Sequence, residues 1–403
     1  MIIGAGAAGI FCAVNAARMN PQVEVIVLEK SNKLLSKVKI SGGGRCNVTH
    51  QCTGIAEGTK NYPRGAQFLK KSFHQFFTAD TVRWFEERGV QLKTEEDGRM
   101  FPVSDSSQTI IDCLLQEADR YGVSIRLHHE VNGFEKTDSG WRVTVKNQAP
   151  LEAHSICIAC GGYPKSVMYE WIKNTGHSIE EPVPSLFTFN MPGNRVTGLM
   201  GVSHKPVEIK IEQSKFEQQN ALLITHWGMS GPAVLKLSAW SARELAGRNY
   251  DFATLVNWIP EFNESSLQAQ LQQIRFQLAS TKITNKNPFR LPQRLWEYLL
   301  EEAGINPAIR WADLPAREQN RLVKTLCAHR FPVRGKTTYK DEFVTAGGIR
   351  LSEVDPNTMM SRLHPNLFFA GEILDVDGVT GGFNFQHAWT SGYVVAKAVR
   401  KNC

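Results

Sequence analysis

Missing from this 403-residue chain is any apolar run long enough to span a bilayer, so a membrane-spanning helix is not expected. No block of five or more basic residues occurs. The net charge of +7 is spread among interspersed acids, as on a solvated surface that also binds something rich in phosphate. Internal repeats and low-complexity tracts are absent, which excludes solenoids and arrays. There are eight cysteines but only one C-x-x-C, Cys157 to Cys160, inside an apolar run that reads as a buried strand. Three residues along a strand span about 10 Å with the side chains on opposite faces, too far for a disulfide. No second cysteine pair completes a zinc site, and no metal is expected. No leader precedes the first strand-like segment, so a cytoplasmic location with reduced thiols is expected, and the sequon at Asn47-Val48-Thr49 would be idle.

What is present begins at once. Ile2-Ile3-Gly4-Ala5-Gly6-Ala7-Ala8-Gly9 places a glycine fingerprint between a strand and a helix of small residues, Ala7–Arg18. A second strand, Glu24–Leu28, ends at Glu29, twenty residues past Gly9. Each part has a role in binding a dinucleotide. Gly4 makes the tight turn, Gly6 admits a pyrophosphate against the backbone, and Gly9 lets the helix pack on the strand. The helix N-terminus faces the phosphates, and Glu29 accepts from a ribose hydroxyl. Only Met1-Ile2-Ile3 precede the turn, where such strands usually run about five or six residues. A frayed strand or a start upstream of Met1 is therefore expected.

The texture then changes twice. Phe68–Phe77, Thr81–Arg88 and Ser107–Tyr121 read as helices, the last two closed by Gly89 and Gly122. Val90–Met100 reads as a hairpin turning at Asp97-Gly98, and Val123–Val131 with Trp141–Lys146 as strands joined by Asp138-Ser139-Gly140. After about residue 186, strand signals at Val207–Glu212, Ala221–Thr225 and Phe252–Val256 lack helical crossovers. Three helices follow, Ser266–Leu278, Pro292–Ala303 and Pro315–Cys327, expected to pack a small core of their own. The last sixty residues return to the first pattern, with a buried strand at Leu367–Glu372 ending in Gly-Glu and a helix opening at Gly381-Gly382-Phe383-Asn384. The expected fold is α/β: a Rossmann-like domain built from both chain ends (1–187 and 343–403) around an insert at 188–342. The insert is β-rich over about 188–262 and helical over about 263–333.

Ser41–Asn47 (SGGGRCN), Thr225–Ala233 (THWGMSGPA), Thr345–Ile349 (TAGGI) and Ala370–Gly392 (AGEILDVDGVTGGFNFQHAWTSG) join the fingerprint in one combination. Together they resemble the signatures of a bacterial flavoprotein family with an insert domain, usually named NAD(P)/FAD-dependent oxidoreductases. Its members have been described as aminoacetone oxidases or bile-acid-pathway reductases. The resemblance runs essentially from Met1 to the C-terminus and implies FAD as the cofactor. It implies that Gly4, Gly6, Ala7, Ala8 and Gly9 hold the pyrophosphate and Glu29 the adenosine ribose. Gly43, Gly44, Arg45, Cys46 and Asn47 would run along the FAD, and Val131 would meet the adenine. Gly161 and Gly162 would pass under the cofactor. Gly371 and Glu372 would lie near the ribityl chain, Asp375 beside the flavin, and Gly381, Gly382, Phe383 and Asn384 at the pyrimidine end of the isoalloxazine. A helix N-terminus there would stabilise the negative charge of reduced flavin.

Disulfide reductases carry a similar glycine-then-two-cysteine segment. Here five residues separate Cys46 from Cys52, and no second Gly-x-Gly-x-x-Gly awaits a nicotinamide. Candidate catalytic partners are His226, Thr345 and Asp375, with Tyr163 and Lys165 behind them. For His226, an ordinary histidine at a strand end is the plainer alternative. Three functions follow, in this order. The first is a reductase passing hydride from transiently bound NAD(P)H through FAD to a small unsaturated or carbonyl substrate. The second is an oxidase of an amine-like substrate using oxygen. The third is an FAD-containing nucleic-acid-associated protein, motivated by the positive charge and by Arg317, Arg321, Lys324, Arg330 and Arg334. Nucleic acid is the partner least expected.

Overall fold

The computed structural model describes residues 1–337 and 344–402. The chain divides into two compact units, Met1–Ser185 with Tyr339–Cys403, and Leu186–Thr338. The insert boundary expected at 342–343 lies outside the described residues.

The first unit is organised by a five-stranded parallel sheet. Its order is Leu367–Phe369, Ile156–Ile158, Ile2–Ile3, Ile26–Leu28, Ser124–Arg126. The strand contributed by the chain's last sixty residues thus sits one strand away from the first. Short continuous apolar runs are what a parallel sheet buried on both faces requires, and Ile2, Ile3, Val27, Ile156, Ile158, Leu367 and Phe369 are all buried. The opening helix Ala7–Met19 packs along the closing helix Phe383–Asn402. Gly392 permits that approach, since a Cβ there would stand 2.7 Å from the Ala8 carbonyl oxygen; Gly9 instead lets the opening helix fold back on the first strand, where a Cβ would stand 1.9 Å from the Gly4 carbonyl oxygen.

Smaller sheets flank this core. The strand expected over Val123–Val131 is two separate elements. Ser124–Arg126 belongs to the parallel sheet, and Val131–Thr137 begins a hairpin with Gly140–Val145. His128, at φ 56°, bends the backbone between them. Ile179–Ser185 pairs antiparallel with Val344–Ile349. Here Gly347 and Gly348 leave room for two facing carbonyls, since added Cβ atoms would meet Glu181 O at 2.6 Å and Ile373 O at 2.4 Å.

The second unit holds a seven-stranded sheet whose pairs are all antiparallel. A helix at Pro232–Gly247, absent from the sequence reading, lies against it with proline in its first turn. The expected division into a β-rich part and a separate helical bundle does not hold. After the three helices, His329–Arg334 returns to the sheet beside Asp251–Asn257. Leu267, Trp296 and Leu322 from the helices share one buried cluster with Val256, Trp258 and Phe331 from the sheet side. Pro292 and Pro315 stand just before their helices, at the N-cap rather than inside the first turn.

Replacing Gly392 tests the helix contact. Gly392→Val should lower the stability of the folded chain by about 1–3 kcal/mol through overpacking, read as an earlier urea midpoint. An unchanged midpoint would mean that the two helices do not depend on this close approach.

Candidate active site

In a parallel sheet every strand ends at the same edge, and ligands bind in the crevice beyond the carboxyl ends. Gly4–Gly9, Glu29, Ala159–Gly162 and Ala370–Glu372 all follow strands of the five-stranded sheet, so the fold brings them to one rim. Gly6 is the N-cap of the opening helix and no side chain caps that end, so its first N–H groups remain available. No atom lies within 4 Å of where a Cβ would sit on Gly6, Gly43, Gly44 or Gly161. These four positions leave bare backbone where a pyrophosphate and a flat ring system would approach, so the residues fit FAD. Glu29 accepts from Ala5 N–H at 3.0 Å and from Ser31 N–H and Oγ, which hold its carboxylate at the turn.

The glycine-rich segment begins as helix Ser36–Gly44 and breaks at Ser41, Gly42 and Gly43. Arg45, in the segment expected to run along the FAD, points its side chain at carboxylates of other segments. Its guanidinium bonds Glu95 at 2.6 Å, lies 3.6 Å from Asp105 and covers the Phe101 ring at 4.0 Å. Two carboxylates already neutralise it, so it braces the loop. Cys46 is buried, and burial pushes its thiol up to about 12. Burial likewise pushes Cys52 up to about 11, and both are free thiols. Neither is poised as a thiolate, which removes the physical basis for disulfide exchange. With the Asn47 amide turned so that its nitrogen donates to Thr49 and Met100 carbonyls, its oxygen accepts from Gly382 N–H at 3.0 Å. This contact ties the loop to the start of the closing helix.

That helix entry is a built structure. A Cβ on Gly382 would meet Thr49 O at 2.5 Å, so only glycine fits. Phe383 is buried and stacks on His50 with ring centroids 4.6 Å apart, while its carbonyl accepts from Tyr62 Oη at 2.6 Å. Asn384 spends both ends of its amide on Gly378, which fixes the preceding loop. In that loop Asp375 is half-buried, and its N–H donates to Ile349 O at 3.1 Å. Asp377, not singled out from sequence, is fully buried, pairs with Arg64 and accepts from Ser185 Oγ at 2.7 Å. Burial raises its pKa, and the Arg64 guanidinium opposes that shift. No local signal marks a pair 313 residues apart in sequence.

Glu372 accepts from Thr345 N–H at 2.8 Å and from Lys37 Nζ at 2.6 Å. Thr345 is buried, and among the described residues its Oγ1 has no hydrogen-bond partner. Gly162 makes room for it, since a Cβ there would lie 2.5 Å from Thr345 Oγ1. Val131 begins its hairpin two residues after His129, whose N–H donates to Glu29 O at 2.8 Å, so it stays near the ribose end of the rim. His226 belongs to the other unit. It is exposed in the turn between Glu217–Thr225 and Gly228–Ser230, with its ring edge-on to Trp227. Tyr163 Oη donates to Cys160 Sγ at 3.2 Å.

A family model described as "HI0933-like protein Rossmann domain" matches residues 1–398. The chain belongs to this family. The HI0933-like chain is 30% identical to the ribosomal RNA dihydrouridine synthase of Escherichia coli (strain K12) over 406 aligned residues, 98% of this chain and 96% of that one. It is 26% identical to the 3-dehydro-bile acid delta(4,6)-reductase of Clostridium scindens, over 98% of each chain. Among solved structures, the 3-ketosteroid delta1-dehydrogenase from Sterolibacterium denitrificans, in complex with 1,4-androstadiene-3,17-dione, matches with a TM-score of 0.53. That match covers 100% of this chain and 99% of that one at 12% identity, a likeness of fold. The HI0933-like chain is an FAD-dependent oxidoreductase. Among the described residues, no helix is long and apolar enough to cross a membrane.

Two outcomes follow from the protonation states. Cys46→Ser should retain FAD and its reduction unchanged; loss of thiol-dependent turnover in that variant would restore the disulfide reading. His387 offers a pH test. Its Nε2 lies 3.1 Å from the Gly371 carbonyl, its Nδ1 has no partner among the described residues, and burial pushes its pKa down to about 4. The unfolded chain protonates near its ordinary value of about 6.5. The stability contributed by neutral His387 is therefore complete above that value and is lost as pH falls towards 4, by roughly 1.4 kcal/mol per pH unit. Urea unfolding at pH 7, 6 and 5 should show this fall. His387→Gln, which keeps a donor for Gly371, should flatten it by about one proton, and an equal slope in the variant would refute the assignment.

Proposed function

We propose that the chain reduces a carbon–carbon double bond conjugated to a carbonyl, and that its substrate is uridine within ribosomal RNA. The observation that carries this reading is the full-length similarity to two relatives whose names share one chemistry. The E. coli relative is named for making dihydrouridine in ribosomal RNA, and the C. scindens relative for reducing the delta(4,6) system of a 3-dehydro bile acid. In both substrates the alkene is polarised by a carbonyl, so hydride adds to the far carbon and a proton to the near one. In uracil these are C6 and C5. The relative with the higher identity, 30% against 26%, favours the nucleic acid that composition alone ranked last.

FAD, when bound, supplies the hydride. The chain's residues bind it and orient the substrate. On this reading Gly6 to Gly9 and the helix behind them hold the pyrophosphate, and Glu29 holds the ribose. The backbone of Gly43 to Asn47 runs beside the cofactor. The helix entry at Gly381 to Asn384 faces the flavin pyrimidine and favours its reduced, anionic form. Thr345 Oγ1, buried and unpartnered, serves as donor to a flavin or substrate oxygen. Asp375 lies in the loop that closes the site. NAD(P)H is the proposed electron donor, bound transiently at the flavin face.

Anaerobic mixing of the FAD-loaded protein with NADH, then NADPH, should bleach the flavin absorbance. Adding unmodified ribosomal RNA transcribed in vitro should restore it, and nucleoside mass spectrometry should then find dihydrouridine that the input RNA lacked. Reoxidation by a steroid enone or by oxygen, with uridine left intact, would overturn the substrate assignment.

A further inference from the structure

We infer that the insert presents an RNA-docking surface centred on the exposed ring of Phe276 and the cations around it. This inference rests on the proposal that the substrate is RNA. The charge of the molecule is partitioned. Residues 186–338 carry 19 Lys and Arg against 12 Asp and Glu, so the whole net charge of +7 lies on this unit and the remainder is balanced. Within the insert the imbalance is local. From Ser265 to Trp296 there is no acidic residue, while Arg275, Lys282, Lys286, Arg290 and Arg294 all fall there.

The fold gathers part of this stretch onto a second acid-free segment. Trp311 N–H donates to Thr281 O at 3.0 Å and Ile283 N–H to Ile309 O at 3.0 Å, which sets Lys282 beside Arg310. Arg310 is the only charged residue between Asn306 and Ala312. Arg275 reaches the same segment, with Nη2 donating to Ala312 O at 2.9 Å. Among the described residues, no carboxylate pairs with Arg275, Lys282, Lys286, Arg290 or Arg310, and all but the half-buried Arg275 are exposed. By contrast Arg330 is held in a two-pronged contact with Glu212 and has little charge to offer.

Next to Arg275, at the last turn of helix Glu264–Gln277, Phe276 is 87% exposed, more than any other large apolar side chain described. One turn before it on that face stand Gln272 and Gln273, both polar and exposed, and two turns before it only the small Ala269, so the ring belongs to no large apolar patch. An isolated aromatic ring among unpaired cations matches single-stranded RNA, whose bases stack on aromatic faces while phosphates meet Lys and Arg. An anionic membrane would meet the same cations and ring, and the vesicle arm of the test below separates it from RNA.

The test measures binding, not turnover. Fluorescence titration of the FAD-loaded protein with protein-free E. coli ribosomal RNA is repeated from low to moderate salt. Lys282→Gln/Lys286→Gln/Arg310→Gln should reduce the slope of log K against log salt by roughly 2. Phe276→Ala should weaken binding about 10-fold or more with the slope unchanged, and Phe276→Trp should restore it. Retained FAD and an unchanged urea midpoint establish that each variant is folded. Wild-type affinity and slope in both the alanine and the triple variant would overturn the inference. So would equal losses on phosphatidylserine vesicles, or loss through altered self-association. Uridine reduction at an unaltered KM in these variants would remove the surface but leave the proposed reaction. RNA binding that depends on Phe276 without dihydrouridine formation would do the reverse.

Discussion

Backbone contact between the opening and closing helices is the constraint from which the first unit follows. Gly392 sits against the Ala8 carbonyl at a distance that excludes a Cβ. The two helices pack together over the sheet, and the strand at Leu367–Phe369 enters beside Ile156–Ile158, one strand away from Ile2–Ile3. The last sixty residues then deliver Gly371, Glu372 and the Gly381-Gly382 turn to the rim where Gly6 and Glu29 stand. Cofactor chemistry is thus shared between segments that are remote in sequence and joined by packing. The buried Arg64–Asp377 pair and the Asn47–Gly382 contact fasten the same two ends together.

Chemistry that needs fixed local spacing was readable before the structure. Gly4, Gly6, Gly9 and Glu29 form a unit because a tight turn, a pyrophosphate approach and a ribose acceptor each demand one residue type at one offset. The return of Rossmann texture after residue 343 was readable for the same reason. The helix at Pro232–Gly247 was not. Ala233, Val234, Leu237, Ala239, Ala242 and Leu245 are all buried, so no clean polar face alternates with an apolar one, and only Pro232 in the first turn marked it. The strand His329–Arg334 escaped because its partner, Asp251–Asn257, lies three helices upstream. Arg45 shows a further limit. A guanidinium beside a glycine loop is chemically suited to phosphate, but Glu95 and Asp105 arrive from another segment and take the charge first.

The two units divide labour by charge as well as by fold. One supplies a neutral scaffold with bare glycine backbone and a helix end, which suits a cofactor recognised through main-chain donors. The other carries the whole excess of positive charge, part of it on side chains that no carboxylate pairs with among the described residues, which suits a partner recognised through its phosphates. A formal charge averaged over 403 residues conceals this partition, and the segment without acids from Ser265 to Trp296 discloses it.

The joining of both chain ends in one sheet also has a temporal meaning. A ribosome extending the chain at about 5–20 residues per second exposes the first strand and its helix long before their cover, Phe383–Asn402, exists. For tens of seconds on that estimate, Ile10, Phe11 and Val14, buried in the finished fold, lack the packing of the closing helix. The contiguous insert needs no such wait and can complete its own core while synthesis continues. Newly made chains therefore pass through a stage in which the insert can be complete while the parallel sheet of the first unit still lacks its last strand.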